Sequence, residues 1–426
     1  MPRRQRWTPV RGTGNRIYAP MERALVRAVD APARAAFALG RGLGLVRRPE
    51  ARPLESLREI LVLRLDRIGD VLMCLPALHD LRRMAPRARI RLAVGRWSES
   101  IARGFPVDDV LVWSAPWVGR PAEGATGLPA LLAKARALRH DRIDLAFDLQ
   151  GDLRASLLLW GSGATRRVGY ANTGGDYLLT DVVPLDETVS WVEQNRRAVR
   201  LAAGGEGALA VGPAAPVFVD ALTSEDRAFA DSFLRAEGLL DRRPLVGLHP
   251  SGGRRVKQWP VDRWREVARR LQRDHGATVL LTGSAADRPL CAELAQGLPV
   301  PPVDLAGRLD VRQTLAVIAH LALFLSPDTG PMHLACAVGT PTVSVFGPSD
   351  PVRYFTGGSF DGHPERHLVV RQDLWCSPCN LIRRPPAECD TVEPPECLRL
   401  VTVDAVLGAA VRLLTQGRSA AAAAPA

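Results

Sequence analysis

The stretch from Leu321 to Pro351, LALFLSPDTGPMHLACAVGTPTVSVFGPSDP, leaves a chain few folds to choose from. Its apolar run from Leu321 to Leu325 has the length of a buried parallel strand and breaks at Ser326-Pro327 into a turn through Asp328-Thr329-Gly330. Ser326, Asp328 or Thr329 can cap a following helix, and Pro331 suits its first position, where an N–H has no partner to lose. Met332 to Val338 continues that helix, Gly339 and Pro341 stop it, and Thr342 to Phe346 reads as a second β-branched strand. The loop is short, glycine-bearing and aimed at a helix N-terminus, where free N–H groups and the helix dipole suit a phosphate or pyrophosphate. An ordinary βαβ turn punctuated by Gly330 and Pro331 explains it too. The polar groups of Ser326, Asp328, Thr329 and His333 at one strand end favour a ligand, since open α/β sheets bind beyond the carboxyl ends of their strands.

The same grammar recurs along the chain. Glu59 to Leu65 is a strand signal, followed by Asp66-Arg67-Ile68-Gly69-Asp70, a helix from Val71 to Met84 and a strand from Ala88 to Val94. Asp109 to Trp113, Leu145 to Leu149 and Arg167 to Tyr170 read as further strands, with helices from Leu128 to His140 and through Trp160. A helix from Ser224 to Glu237 leads to the strand Leu245 to Leu248, a helix from Val261 to His275 and the strand Thr278 to Leu281. Between these halves, residues 203–220 are rich in Gly, Ala and Pro without periodicity, as a linker is. At 426 residues two domains are expected. They are a Rossmann-like domain over 58–220 and a second over 221–415, preceded by a basic extension over 1–57 and followed by a disordered tail over 416–426.

Charge is unevenly placed. Residues 1–58 hold thirteen Arg against four acidic residues, which is +9 of the net +11. No recognition motif or aromatic-interleaved basic run accompanies it, so nucleic acid is not the expected partner. Arg23, Arg27, Arg34 and Arg41 fall on one helical face, with Leu25, Val29, Ala36 and Leu39 around the rest. Residues 1–50 can therefore lie on an anionic membrane, or form a solvated arm or a helix packed on the body; Pro32 argues against one unbroken helix. No run of about eighteen apolar residues occurs, and MPRRQRW is not followed by the apolar core of a signal peptide, so a cytoplasmic protein is expected.

The candidate site residues each have a plainer reading. Asp70, at a strand's carboxyl end, can be a general base or a helix cap, and Asp66 on the same loop makes a cap available without it. Lys257, after the loop Ser251-Gly252-Gly253 and beside Arg254 and Arg255, can neutralise a diphosphate leaving group or be a solvated basic turn. Thr282-Gly283-Ser284 is a second strand-end loop, and Asp287 beyond it can hold ribose hydroxyls or cap a helix. Cys376, Cys379, Cys389 and Cys397 follow a C-x2-C-x9-C-x7-C spacing that four thiolates on zinc would tolerate, though the second pair is not CxxC. Free or reversibly paired thiols fit as well. The eight histidines form no HExxH pair, so no catalytic metal is expected.

Taken in order, these segments closely resemble glycosyltransferase family 9, the ADP-heptose:lipopolysaccharide heptosyltransferase family, over about residues 58 to 410. The resemblance is carried by Arg64-Leu65-Asp66-Arg67-Ile68-Gly69-Asp70-Val71-Leu72, Asp148-Leu149-Gln150-Gly151 with Arg167-Val168-Gly169-Tyr170, His249-Pro250-Ser251 with Lys257-Gln258-Trp259-Pro260, and Ser326 to Leu334 with Phe346-Gly347-Pro348. It implies an α/β GT-B architecture of two Rossmann-like doubly wound domains facing across a cleft, and an inverting transfer that requires no cofactor or metal. The implied donor is a nucleotide-sugar, ADP-heptose first among them, and the implied acceptor a lipopolysaccharide-core-like glycolipid at the inner face of the inner membrane. By resemblance Asp70 would be the base, and Lys257 with the backbone at Thr329-Gly330 would hold the diphosphate. Asp328 would bond sugar hydroxyls and Asp287 the ribose. Ser251, Gly252, Thr282, Gly283, Ser284 and His333 would line the donor side, and Arg67, Gly69, Gln150 and Gly151 the acceptor side. A GT-B enzyme with another nucleotide-sugar donor, and a non-catalytic nucleotide-sugar-binding scaffold at the membrane surface, are the alternatives.

Overall fold

A computed structural model describes residues 20–43, 49–118, 126–205, 207, 222–242, 244–382, 385–391 and 393–423. The chain divides into two compact units, Met1–Ala214 and Ala215–Ala426, with most of the expected linker outside the described residues.

The first unit begins with helix α1 (Pro20–Gly42) and the strand β1 (Glu59–Arg64). Then come α2 (Ile68–Leu72), α3 (Leu75–Met84), β2 (Arg89–Val94), α4 (Glu99–Ala102), β3 (Asp109–Val112) and α5 (Leu128–Ala137). It ends with β4 (Leu145–Asp148), α6 (Leu153–Gly161), β5 (Arg166–Gly169), β6 (Asp181–Val182) and α7 (Trp191–Gly204). Its six strands pair in the order β3-β2-β1-β4-β5-β6, and every pairing is parallel. Helices cover both faces of such a sheet, so its strands are apolar almost throughout: Leu61, Leu63 and Leu65 pack with Ala146, Leu158 and Leu159 in one core.

The second unit runs α8 (Ser224–Ala236), β7 (Leu245–Leu248), α9 (Val261–His275), β8 (Thr278–Leu281), α10 (Arg288–Ala295), β9 (Val303–Asp304) and α11 (Val311–Ile318). It continues through β10 (Leu323–Pro327), α12 (Gly330–Ala337), β11 (Thr342–Val345), α13 (Pro351–Tyr354), β12 (His367–Val370), α14 (Glu396–Arg399) and α15 (Val403–Ala423). The strand order β12-β11-β10-β7-β8-β9 repeats the first unit's plan, again wholly parallel. Trp259 and Trp264 meet edge to face with centroids 4.6 Å apart and anchor α9 against Val246, Leu248 and Leu325.

Three expectations differ from the structure. The helix expected from Val71 to Met84 is two helices, broken at Met73 and Cys74, because Pro76 begins a new first turn. Pro32 does not interrupt α1, which continues through it. Docking compensates for the missing N–H: Val26, Ala33 and Phe37 pack on Leu153, Tyr177 and Leu178, Asp30 accepts the Gly175 N–H at 2.8 Å, and Arg34 bridges Asp30 and Asp176. These positions make one stripe at helical spacing, so α1 is packed on the first unit. The side chains of Arg23, Leu25, Arg27, Val29 and Arg41 lie outside the described residues. Finally, the tail expected to be disordered from residue 416 is helical as far as Ala423, an extension of α15, whose Val406, Ala410, Leu413 and Leu414 are buried against the second sheet.

Candidate functional site

In each unit the chain winds outward from its first strand, then crosses back to lay its fourth strand on the other side. The crossing falls between β1 and β4 in the first unit and between β7 and β10 in the second. Loops leaving the carboxyl ends of two strands diverge at such a crossing and leave a crevice where α/β proteins hold ligands.

In the first unit Asp70 sits on α2, three residues beyond Arg67. Its Oδ2 accepts the Arg67 N–H at 3.3 Å and its Oδ1 lies 3.4 Å from the Arg64 guanidinium, while the side chain stays 29% exposed. Asp70 therefore makes the cap-type bond itself, although Asp66 on the same loop made another cap available; Asp66 shares Arg64 with it, at 3.3 Å. Arg64, buried at the end of β1, also donates to the Leu149 carbonyl at the end of β4. One guanidinium thus ties the Asp70 loop to the Gln150-Gly151 turn. Sequence reasoning gave Arg64 no role, although an arginine closing the apolar run Glu59 to Leu65 was the available signal. Gly151 has φ +75° and an added Cβ would lie 2.8 Å from Tyr170 Cβ, so this turn requires glycine. Gly69 is buried, whereas Arg67 is exposed at the N-cap.

In the second unit the loop after β7 carries His249, Ser251, Gly252 and Lys257, and that after β10 carries Asp328, Thr329 and Gly330. Lys257 Nζ lies 2.9 Å from Asp328 Oδ2, with side chains 16% and 9% exposed. This pair spans the β7/β10 crossing. Burial pushes the Asp328 carboxyl up, but Lys257, the Ser349 hydroxyl and His333 more than offset it, so the group lies below the usual carboxylate range. Gly252 is structural: a Cβ there would stand 2.6 Å from the Gln258 nitrogen and the Lys257 carbonyl carbon. It lets the loop fold back and place Lys257.

Thr329 is the N-cap position of α12 but makes no side-chain cap; its hydroxyl turns to Ser326 Oγ at 3.0 Å. The first turn of α12, from Gly330, thus keeps N–H groups that its own cap residue does not satisfy. His333, on the same helix, is buried with Nδ1 3.1 Å from Thr356 Oγ1.

On the other flank, Thr282 is buried and its carbonyl lies 2.9 Å from His249 Nδ1. Burial depresses the His249 imidazole, which is therefore neutral at pH 7. Asp287 caps the turn: its Oδ2 takes the Ser284 N–H at 2.8 Å and hydroxyl at 2.6 Å. Against the upward push of burial, the Ser284 and Ser251 hydroxyls hold its carboxyl low. Gly283 leaves room for this carboxylate, since a Cβ there would be 2.9 Å from Asp287 Cβ. The structure brings Ser251, Lys257, Asp328 and Asp287 into adjoining strand-end loops and adds Ser349, after β11, which sequence reasoning missed.

The late cysteines are free thiols, with Cys376 exposed, Cys379 and Cys389 half-buried and Cys397 buried. Among the described residues no three His, Cys, Asp or Glu side chains are grouped to hold a metal ion. No helix among them is long and apolar enough to cross a membrane.

Two doubly wound units, one carrying a paired lysine and carboxylate beside an open helix N-terminus, fit the plan of a GT-B glycosyltransferase. The family description glycosyltransferase family 9 (heptosyltransferase) matches residues 131–385. A lipopolysaccharide heptosyltransferase 1 from Pseudomonas aeruginosa is 30% identical over 332 residues, 75% of this chain and 85% of that protein. The lipopolysaccharide core heptosyltransferase OpsX from Haemophilus influenzae is 25% identical over 70% of this chain and 82% of its own. In fold, the chain is similar to the Escherichia coli ADP-heptose heptosyltransferase II structure, with a TM-score of 0.67 at 23% identity, covering 84% of this chain and 99% of that one. The chain belongs to glycosyltransferase family 9.

Proposed function

We propose that the protein transfers heptose from ADP-heptose to a lipopolysaccharide-core acceptor, with inversion at the anomeric carbon. The observation that carries this reading is the Lys257–Asp328 pair at the β7/β10 crossing, in a chain whose relatives over most of its length are named heptosyltransferases. In this reading the second unit takes the donor and the first unit takes the acceptor and supplies the base.

Lys257 receives the diphosphate, with the N–H groups at Thr329-Gly330 and the α12 dipole completing the anion site. Freed from its lysine by the phosphate, Asp328 accepts hydroxyls of the sugar. Asp287, whose Oδ2 is held by Ser284, takes the ribose. On the acceptor side Asp70 accepts the proton of the attacking hydroxyl. The acceptor oxygen forms its bond to the anomeric carbon as the carbon–oxygen bond to the β-phosphate breaks. The electron pair leaves with ADP, and Lys257 meets the growing charge. Attack opposite the leaving group inverts the configuration. The charge on ADP is met by side chains and backbone, so the reaction calls for no metal.

The protein works at the cytoplasmic face of the inner membrane in this reading. The stripe that docks α1 leaves Leu39 and Leu43 outward, 65% and 64% exposed, and the +9 charge of residues 1–58 favours anionic lipid beside them. Incubation with ADP-heptose and heptose-free lipopolysaccharide core tests the reading. Transfer with an inverted anomeric centre, read by NMR, is expected. Transfer from a UDP- or GDP-sugar instead would discard heptose, and binding of nucleotide-sugar with no transfer from any donor would leave a scaffold.

A further inference from the structure

The Asp148 carboxyl is wholly buried, pairs with no cation among the described residues and takes no part in the transfer described above. It closes β4. Oδ1 accepts the N–H of Gln150 and that of Gly151, each at 2.9 Å, and Oδ2 lies 3.0 Å from the Ser156 hydroxyl on α6. The turn it grips is held from other sides too: Arg64 donates to the Leu149 carbonyl, and Thr173 donates to the Gly151 carbonyl at 3.4 Å. The Gln150 side chain is left over. Its Oε1 is enclosed and has no hydrogen-bond partner among the described residues, although the residue as a whole is half-buried. Enclosing an unpaired carbonyl is costly, and native structures keep one chiefly where a ligand or water supplies the donor. A turn of the terminal amide offers that oxygen at the β1/β4 crossing, on the loop that Arg64 ties to Asp70.

We propose that Asp148 is a positioning residue for the acceptor: by holding the Gln150-Gly151 turn it sets the Gln150 amide, whose carbonyl receives a hydroxyl of the acceptor sugar. This rests on the reading that the first unit takes the acceptor. Burial raises the Asp148 carboxyl to about 7, against the stabilising bonds from Gly151, Gln150 and Ser156 and with a further push from Asp152. The charged groups on the elements around it are Glu59 and Arg64 on β1, Asp152 and Arg154, paired at 2.6 Å, at the start of α6, and Arg166 and Arg167 on β5, of which Arg166 pairs with Asp181. A carboxylate accepts N–H bonds more strongly than a neutral carboxyl, so the turn is gripped more firmly once Asp148 ionises. The acceptor KM should fall as pH rises through neutrality.

The test is steady-state kinetics of the full chain with ADP-heptose and heptose-free lipopolysaccharide core, in the wild type and in Gln150→Leu, Asp148→Ala and Asp148→Asn. Gln150→Leu and Asp148→Ala should raise the acceptor KM about tenfold and leave the ADP-heptose KM within about twofold. Asp148→Asn keeps an oxygen for both N–H groups and an amide to donate to Ser156 but cannot ionise, so its acceptor KM should lose the pH dependence near neutrality. An unchanged acceptor KM in Gln150→Leu, an equal rise in both KM values, or a pH dependence that persists in Asp148→Asn would overturn the proposal. Gln150→Leu and Asp148→Asn decide the matter even where Asp148→Ala fails to fold. A wild type that transfers to no acceptor would instead overturn the functional reading, and this inference with it.

Discussion

Replacing Lys257 by Met keeps the length of the side chain and removes the ammonium that stands 2.9 Å from Asp328 Oδ2. Asp328 is then a carboxylate only 9% exposed, with the Ser349 hydroxyl as its remaining strong partner. Breaking a buried pair from one side costs about 3–5 kcal/mol; the residual exposure of Lys257 lowers the expected loss to about 2–3 kcal/mol. The loss must depend on pH in a fixed sense. Burial raises the Asp328 carboxyl and Lys257 overcomes it, leaving the folded group below its unfolded value. Its contribution to stability is therefore present above the ordinary carboxylate value of about 4 and is lost as pH falls through the depressed folded value. Urea unfolding should show the full deficit near neutrality and a shrinking one below about pH 4, with Asp328→Asn added to Lys257→Met recovering part of it. The variant should also bind ADP about tenfold or more weakly while AMP affinity changes little, because the lysine meets the terminal phosphate. A deficit equal at both pH values, or ADP affinity unchanged, would refute the reasoning.

Asp70→Asn keeps an oxygen for the Arg67 N–H, so it should fold normally and bind ADP as the wild type does while the transfer rate falls by about 10²- to 10⁴-fold in a single-turnover assay. His367, buried 2.9 Å from Asp361, is pushed down by burial but lifted to about 9 by Asp361 and Cys336, so it is charged at neutral pH. That pair stabilises fully below the unfolded histidine value of about 6.5 and is lost as pH rises through about 9; His367→Gln should remove roughly 3 kcal/mol and this alkaline limb, read by thermal melts. Asp148 is raised to about 7, so its share of stability is present below the unfolded carboxylate value and falls away as pH rises to neutrality; Asp148→Asn should gain stability over wild type near pH 8 relative to about pH 5. Removing residues 1–19 alone should weaken binding to anionic vesicles in a salt-dependent way, whereas removing α1 as well should also lower Tm, by uncovering Tyr177 and Leu178.

The parallel strands were the most legible part of the chain, because burial on both faces writes them as short apolar runs that end in glycine or polar loops. α9 was readable to the residue: Trp264, Val267, Ala268 and Leu271 repeat at helical spacing, and Gly276 at φ +65° ends it. α7 was missed, although Ser190 and Glu193 spell a capping signal and the Ser190 hydroxyl does accept the Glu193 N–H. Its inner face is mixed: Arg196 pairs with Asp80 at 2.6 Å and Asn195 donates to the Met73 carbonyl among buried Val192, Val199 and Leu201, so the apolar stripe that would announce it is interrupted. α1 misled for a related reason. Propensity condemns a mid-helix proline, and only the tertiary partners Tyr177, Asp176 and Gly175 show what offsets it.

At the site, strand-end position was enough to pick out Asp70, Lys257, Asp287 and Asp328. It did not reveal that Lys257 and Asp328 pair with each other, nor that Arg64 links Asp70 to the Leu149 carbonyl. Contacts between loops about 70 or 80 residues apart leave no periodic trace in a sequence. The Asp66 and Asp70 alternatives could not be ranked by spacing either, since both lie on one turn and both pair with Arg64, and the Arg67 N–H taken by Asp70 is what sets them apart.

The most direct test of the central claim, a family 9 transferase using ADP-heptose, is thermal stabilisation of the purified protein by nucleotide-sugars and their parent diphosphates. A ligand that binds only the folded state raises Tm in proportion to the logarithm of its excess over Kd. ADP and ADP-heptose should stabilise the wild type, UDP and GDP and their sugars should not, and the ADP effect should disappear in Lys257→Met. Stabilisation by a uridine or guanosine donor in preference, or by none of them, would contradict the account.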